Sequence, residues 1–173
     1  PVLWSTVEKT ALADADVEYQ NHTSNTIYTS FEVKKSDRDY LKDAHIVIWT
    51  TTPWTIPVNR ALVYSDKIKY SVVQIGKDIK NFKDKKIVIA SELLNKVSKD
   101  CNFKDYKILK EFIGSDFKNT ICSHPLKNIG FDYNVPMLEG DFVTLEQGTG
   151  IVHAAPSHGP DDFNLCLKHG IKA

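Results

Sequence analysis

The chain has no excess of charge of either sign. Its 173 residues hold 22 lysines and arginines against 22 aspartates and glutamates. A stand-alone nucleic-acid binder normally carries a basic surplus that replaces phosphate counterions, so any RNA contact here must draw much of its affinity from elsewhere. Cysteine is scarce: Cys101, Cys122 and Cys166 are scattered, odd in number and form no Cys-x-x-Cys pair. This argues against a disulfide framework or a zinc knuckle and for a reducing, cytoplasmic setting. No apolar run is long enough to span a membrane, and there is no signal-peptide pattern. No glycine-rich loop with a lysine is present to cradle phosphates. No serine sits in a glycine elbow and no cysteine lies beside a histidine, so a covalent nucleophile is not indicated. Internal repeats and low-complexity linkers are missing as well.

What is present suffices for one domain, or one domain with an extension. Hydrophobic residues make up 42% of the chain, enough for a real core. The text is strand-like from Pro1 and stops at Ile171-Lys-Ala just after a helix, so the expectation is a piece of a larger protein. Residues 1–34 read as an extended connecting ribbon, with Ala13–Tyr19 and Thr26–Val33 alternating as half-exposed strands do. Residues 35–173 read as the domain proper. His45-Ile-Val-Ile-Trp49 is a buried strand by its near-continuous β-branched run, and Pro53 and Pro57 stop it. Strands are expected at Ala61–Tyr64, Tyr70–Ile75, Ile87–Ala90, Tyr106–Phe112, Thr120–Cys122, Val135–Leu138 and Phe142–Leu145. Lys77–Lys86 reads as a hairpin tip. Ser91 is expected to cap a helix running to about Asp100, and a last helix from Asp161 to His169 ends at Gly170. Many short strands and few helices indicate a mainly β fold, a β-barrel or strongly bent sheet with peripheral helices.

Two stretches carry chemistry. The first is Trp49-Thr-Thr-Thr-Pro-Trp-Thr-Ile-Pro-Val-Asn59. Strand neighbours face opposite sides, so Thr50, Thr51 and Thr52 cannot all be buried packing residues. Their hydroxyls and amides, with Thr55 and Asn59 on the following turn, could hold a ribose, an ester carbonyl or a water. Turn-forming, β-branched threonine is the plainer explanation. The second is Gly148-Thr-Gly-Ile-Val-His-Ala-Ala-Pro-Ser-His-Gly-Pro-Asp-Asp-Phe163. A glycine turn and a short strand bring His153 to a sheet end, and Asp161 and Asp162 follow at a helix start. His153 could equally be a histidine satisfied by a backbone carbonyl, and the two aspartates could be stabilised by the helix dipole alone. Adjacent residues point in different directions, so one aspartate is expected to face the pocket. A metal on His153, His158, Asp161 and Asp162 lacks any standard ligand spacing. A hydroxyl-rich pocket with one imidazole and one carboxylate suits a small cationic group and an oriented water.

These two stretches resemble the signature stretches of the editing domains of isoleucyl-tRNA synthetases, in the class I synthetase family. Pro1-Val-Leu-Trp-Ser with Thr10–Tyr19 is similar to the entry of that insertion. His124-Pro-Leu, Val135-Pro-Met-Leu and Asp141-Phe-Val-Thr are similar to its later strands. Valyl and leucyl relatives typically have Thr-Thr-Arg-Pro where this chain has Thr-Thr-Pro-Trp, which favours the isoleucyl branch. The resemblance implies an editing-domain β-barrel with a few peripheral helices that hydrolyses valyl-tRNA(Ile) and valyl-adenylate. It implies tRNA(Ile) and the remainder of a synthetase as partners, a monomeric isolated domain, and no cofactor or catalytic metal. It further implies that Asp162 grips the substrate ammonium group, that His153 is the wall that limits side-chain size, and that Thr50, Thr51, Thr52 and Thr55 surround the terminal adenosine and the water. Asn59 and Trp54 are implied substrate contacts. Ser157 stands where many relatives have glycine. The His-x-Gly-His and Lys-Met-Ser-Lys-Ser type motifs of a class I catalytic core are absent, so this piece is expected to edit and not to activate an amino acid. The competing expectations are a non-catalytic cradle for the tRNA acceptor end, the editing domain of a valyl or leucyl relative, and a metal-dependent hydrolase.

Overall fold

The structure, a computed structural model, describes residues 2–172 except His22, Asp78 and Lys83. Nine strands form one mixed sheet: β3 (Ile27–Lys35), β4 (Ala44–Thr50), β5 (Ala61–Tyr64), β6 (Lys69–Ile75), β7 (Lys86–Ala90), β8 (Tyr106–Ile113), β9 (Ile121–Ser123), β10 (Asn134–Glu139) and β11 (Val152–Ala154). Two short strands ahead of them, β1 (Trp4–Ser5) and β2 (Thr10–Ala11), make a separate hairpin. The sheet order is β11-β5-β10-β9-β3-β4-β7-β6-β8. The β5–β10 and β4–β7 pairs are parallel, and the remaining pairs are antiparallel. Among the described residues there are two α-helices, α1 (Leu94–Asp100) and α2 (Pro160–Lys168), besides short 3-10 turns. No helix among the described residues is long and apolar enough to cross a membrane.

β4 shows why the sheet forms where it does. Ile46, Val47 and Ile48 are consecutive and all buried. A strand with both faces covered needs no polar alternation, and its β-branched side chains suit a pleated surface. The core is anchored by interlocking aromatics. Phe117, fully buried, meets Tyr70, Phe112 and Tyr64 at centroid distances of 4.9, 5.1 and 5.2 Å. Tyr70 is also fully buried, and its hydroxyl donates to the Gly150 carbonyl at 2.8 Å.

The fold is mainly β, as expected, but the barrel is not closed. The segment leading into β11 approaches β7 and β6 without forming a ladder. The Ala90 amide donates to the Thr149 carbonyl at 2.8 Å, next to the Tyr70 bond to Gly150. Extended pairing cannot continue through that segment, because Gly148 and Gly150 have φ of 80° and 73°. These left-handed values favour glycine and lie outside strand geometry. A Cβ on Gly150 would also stand 2.5 Å from the Ala90 Cβ.

Other expectations shift. Ala13–Tyr19 is not a strand: Asp14–Asp16 forms a 3-10 turn, and the Asp16 carboxylate accepts the Ala13 amide at 3.1 Å. A local side-chain acceptor competes here with strand pairing. Thr26–Val33 is not part of a tether, because β3 lies between β9 and β4 inside the large sheet. Phe142–Leu145 is irregular. Both sides of β10 are already taken by β5 and β9, and the chain turns away at Gly140, whose amide donates to the Tyr64 carbonyl. Ser91 does not cap α1; it opens a 3-10 turn, and its hydroxyl lies 2.7 Å from that of Ser71. Asp78 and Lys83 of the expected Lys77–Lys86 tip, like Pro1 and Ala173, lie outside the described residues.

Truncating Phe117 to alanine removes the ring that three other aromatics pack on. The expected loss is about 3–5 kcal/mol of folding stability, read as a lower urea midpoint with an unchanged slope.

Candidate active site

The two chemical stretches meet in one cleft of about 370 Å³. Trp49 and the threonine run supply one side from the end of β4 and the turn after it; Gln147 to His153 supply another from the approach to β11 and the strand itself. Ala155, His158 and Asp162 close it from the loop after β11 and from α2.

The contact that joins the stretches is made by His153. Its Nε2 lies 2.8 Å from the Thr55 hydroxyl and its Nδ1 lies 2.7 Å from the Asn59 side-chain nitrogen. The Asn59 amide also donates to the Ala61 carbonyl at 2.9 Å, which fixes its nitrogen, not its oxygen, toward the ring. Nδ1 is therefore the acceptor and Nε2 carries the proton. Nε2–H then donates to Thr55, whose own proton goes to the Thr52 carbonyl at 2.8 Å. Burial, followed by the neighbouring His124 and His158, pushes the His153 pKa down to about 4. A neutral imidazole with both nitrogens engaged has no lone pair left to act as a general base. It can serve as a rigid wall.

The threonines differ in role. Thr50 and Thr55 are buried, Thr52 is half-buried and Thr51 is exposed. The Thr52 hydroxyl lies 3.2 Å from that of Thr50 and 3.4 Å from that of Thr55, so a strip of hydroxyls runs along the cleft to His153. Pro53 opens a 3-10 turn through Val58 that carries Thr55 inward and leaves Trp54 65% exposed at the rim. This turn is braced from behind. The buried His124 donates from Nε2 to the Ile56 carbonyl at 2.8 Å and stacks on Phe131.

The two aspartates part company. Asp162 lines the cleft, whereas Asp161 opens onto a separate groove beside Glu139 and Lys168. One Asp162 carboxylate oxygen accepts the Ala155 amide at 2.9 Å. Burial raises the Asp162 pKa against that bond, and Asp161 adds to the rise. A half-buried carboxylate with this unfavourable solvation gains from a cationic partner. Asp161 does not line the cleft with His153, so the four residues weighed as a metal set are not brought together there, and no cluster of three or more His, Cys, Asp or Glu suited to a metal occurs among the described residues. Asn59, expected to touch substrate, is fully buried behind His153 and does not line the cleft; it acts through the ring. Phe142, Thr144 and Gln147 line the cleft without having been read as pocket residues, and His158, weighed only as a metal ligand, lines it too. Gln147 abuts the Gly148-Thr-Gly turn, which was the one available signal for it. Phe142 and Thr144 belong to the irregular segment that alternation misread.

A scan against protein families finds no match. Individual relatives are clear. The chain is 64% identical over 173 residues to the isoleucine–tRNA ligase of Pelagibacter ubique (strain HTCC1062), covering all of this chain and 19% of that protein. It is 44% identical over 177 residues to the isoleucine–tRNA ligase of Gluconobacter oxydans (strain 621H), covering 99% of this chain and 18% of that one. The chain belongs with the isoleucine–tRNA ligases, one segment of which it matches over its whole length. It spans about a fifth of the length of the curated relatives it matches. The solved editing domain of the P. knowlesi cytosolic leucyl-tRNA synthetase superposes with a TM-score of 0.64, covering 84% of this chain and 62% of that one at 12% identity. At that identity the likeness is one of fold.

The His153 clamp has a pH signature. In the folded chain the ring stays neutral down to about pH 4, whereas an unfolded histidine takes a proton near pH 6.5. Between these values the unfolded state binds more protons, so this contribution is intact above about pH 6.5 and lost as pH falls toward 4. The loss reaches about 3 kcal/mol. Urea melts at pH 7 and pH 4.5 should show it in the wild type and show it much reduced in His153→Gln.

Proposed function

We propose that this editing domain hydrolyses valyl-tRNA(Ile), and valyl-adenylate, while excluding isoleucine by size. The observation that carries the reading is the sharing of one cleft by the Asp162 carboxylate, the threonine strip and an immobilised His153. Valine and isoleucine differ by one methylene. A methylene in a hydrophobic pocket is worth about 1–3 kcal/mol, a generalisation for which this synthetase's own choice of isoleucine over valine is the standard example. A second pocket that admits only the smaller side chain adds what binding alone cannot supply.

The chemistry follows from the groups present. Asp162 binds the α-ammonium group by charge. His153, held on both nitrogens, cannot move aside for an extra methylene. The hydroxyls of Thr50 and Thr52 orient a water and donate to the carbonyl oxygen as it becomes an oxyanion. The water oxygen bonds to the carbonyl carbon, the bond to the ribose oxygen breaks, and that oxygen takes up a proton. Valine and a tRNA with a free terminal hydroxyl leave. His153 is not the base in this scheme, and the neighbouring ribose hydroxyl is the group best placed chemically to relay the proton. The β1–β2 hairpin, which is separate from the large sheet, suits a connection to the rest of a cytoplasmic synthetase.

The test is deacylation of valyl-tRNA(Ile) against isoleucyl-tRNA(Ile) by the chain at high enzyme concentration, with and without excess chelator. Selective loss of the valyl ester, unaffected by chelator, is expected. Binding of both without turnover would return the cradle reading. Asp162→Ala should slow valyl-ester hydrolysis by about 100-fold, the scale of a lost buried charge contact, while Asp161→Ala stays near wild type. The reverse pattern would place the anchor on the wrong carboxylate. His153→Ala should make isoleucyl-tRNA(Ile) a substrate, and continued rejection of isoleucine would remove His153 from the sieve.

A further inference from the structure

A polynucleotide whose 3′ end enters the cleft must leave it again, and its next residue carries a phosphodiester. Three depressions adjoin the cleft by sharing lining residues with it. The one reached past Phe142 holds three carboxylates, Glu139, Asp141 and Asp161. The one reached past His158 is built from Val2, Leu3, two prolines and Phe163 and holds no lysine or arginine. The third shares Trp49, Gln147 and Gly148 with the cleft and adds Tyr28 and Lys96. Of the three, only this last pairs a cation free of a neighbouring acidic cluster with aromatic side chains. Its single carboxylate, Asp100, already accepts the Tyr28 hydroxyl at 2.7 Å. Its direction also fits. Gly148 precedes β11 and Ala155, which holds Asp162, follows it, so the groove and the ammonium anchor lie toward opposite ends of that strand.

We propose that this groove, lined by Tyr28, Trp49, Lys96 and Gln147, holds the nucleotide on the 5′ side of the terminal adenosine. Its base lies against the aromatic side chains, and Lys96 neutralises the phosphate that links the two nucleotides. Base stacking on aromatics combined with a positive groove is the general means of holding single strands. Lys96 is exposed on α1, away from the threonine strip and from the His153 clamp. The inference deepens the editing reading and rests on it for the direction in which the substrate enters.

The test compares adenosine with the dinucleotide cytidylyl-(3′,5′)-adenosine as ligands of the 173-residue chain, by titration calorimetry at two salt concentrations. Hydrolysis of 3′-O-valyl-adenosine is measured in parallel. The dinucleotide should bind about five-fold tighter or more. Lys96→Glu should remove most of that gain while leaving adenosine binding and valyl-adenosine hydrolysis unchanged. The wild-type advantage should weaken with salt by a slope of about 0.7, that of one phosphate on a single strand. A dinucleotide that binds no better than adenosine, or a Lys96→Glu variant that keeps the full gain, overturns the groove assignment. If the gain is present but valyl-adenosine is not hydrolysed, the groove stands and the editing reading falls. If hydrolysis is present without the gain, the reverse holds.

Discussion

The site depends on one histidine being held from both sides. Thr55 and His153 are 98 residues apart in the chain, and Asn59 and His153 are 94 apart, yet their side chains meet at 2.8 and 2.7 Å. Each bond constrains the other. Because Asn59 donates to Nδ1, the ring must present a proton at Nε2, and because Thr55 gives its own proton to the Thr52 carbonyl, it can accept that proton. A buried network of this kind is satisfied as a unit and specifies one arrangement. One atom stays outside it: the Asn59 side-chain oxygen is buried without a partner among the described residues. The cost of that atom is borne where it fixes the orientation of the amide.

The sheet serves this clamp by its curvature. A closed barrel would need a continuous ladder between its last strands, whereas here two left-handed glycines interrupt the approach to β11. The interruption turns the Gly148–Ile151 segment across the end of β4, against Trp49 and the threonines, and so makes a cleft where a ladder would have made a wall. The Tyr70 and Ala90 bonds to Gly150 and Thr149 hold that segment to the aromatic core. Packing and site geometry are thus joined through two backbone carbonyls.

Much of this was legible from residue patterns. The run His45–Trp49, the strands at 61–64, 70–75 and 87–90, and the helix closed by Gly170 could be read because each has a period or a punctuating residue. Ala13–Tyr19 and Phe142–Leu145 also alternate, but alternation reports only a capacity to pair. It says nothing about whether a neighbouring edge is free or a local acceptor competes: both sides of β10 are taken ahead of Phe142–Leu145, and Asp16 captures the Ala13 amide. The residue pattern required only that one of Asp161 and Asp162 face the pocket, and the choice of Asp162 came from the family resemblance alone. The depth of Asn59 was not legible: an asparagine after a proline turn reads as surface, and only the fold shows His153 covering it. Gln147 and the groove beyond Trp49 were hidden for a similar reason, since Lys96 and Tyr28 come from elements with no chemical pattern of their own.

β11 is three residues long, lies at one edge of the sheet and, among the described residues, pairs with β5 alone. Edge elements of this length open locally at a fraction of the global unfolding free energy. His153 is the middle residue of that strand. On the proposed reading, the size limit is therefore tied to a short edge strand and not only to the stability of the domain as a whole. If His153 sets that limit, warming blunts discrimination between the two side chains before the domain as a whole unfolds.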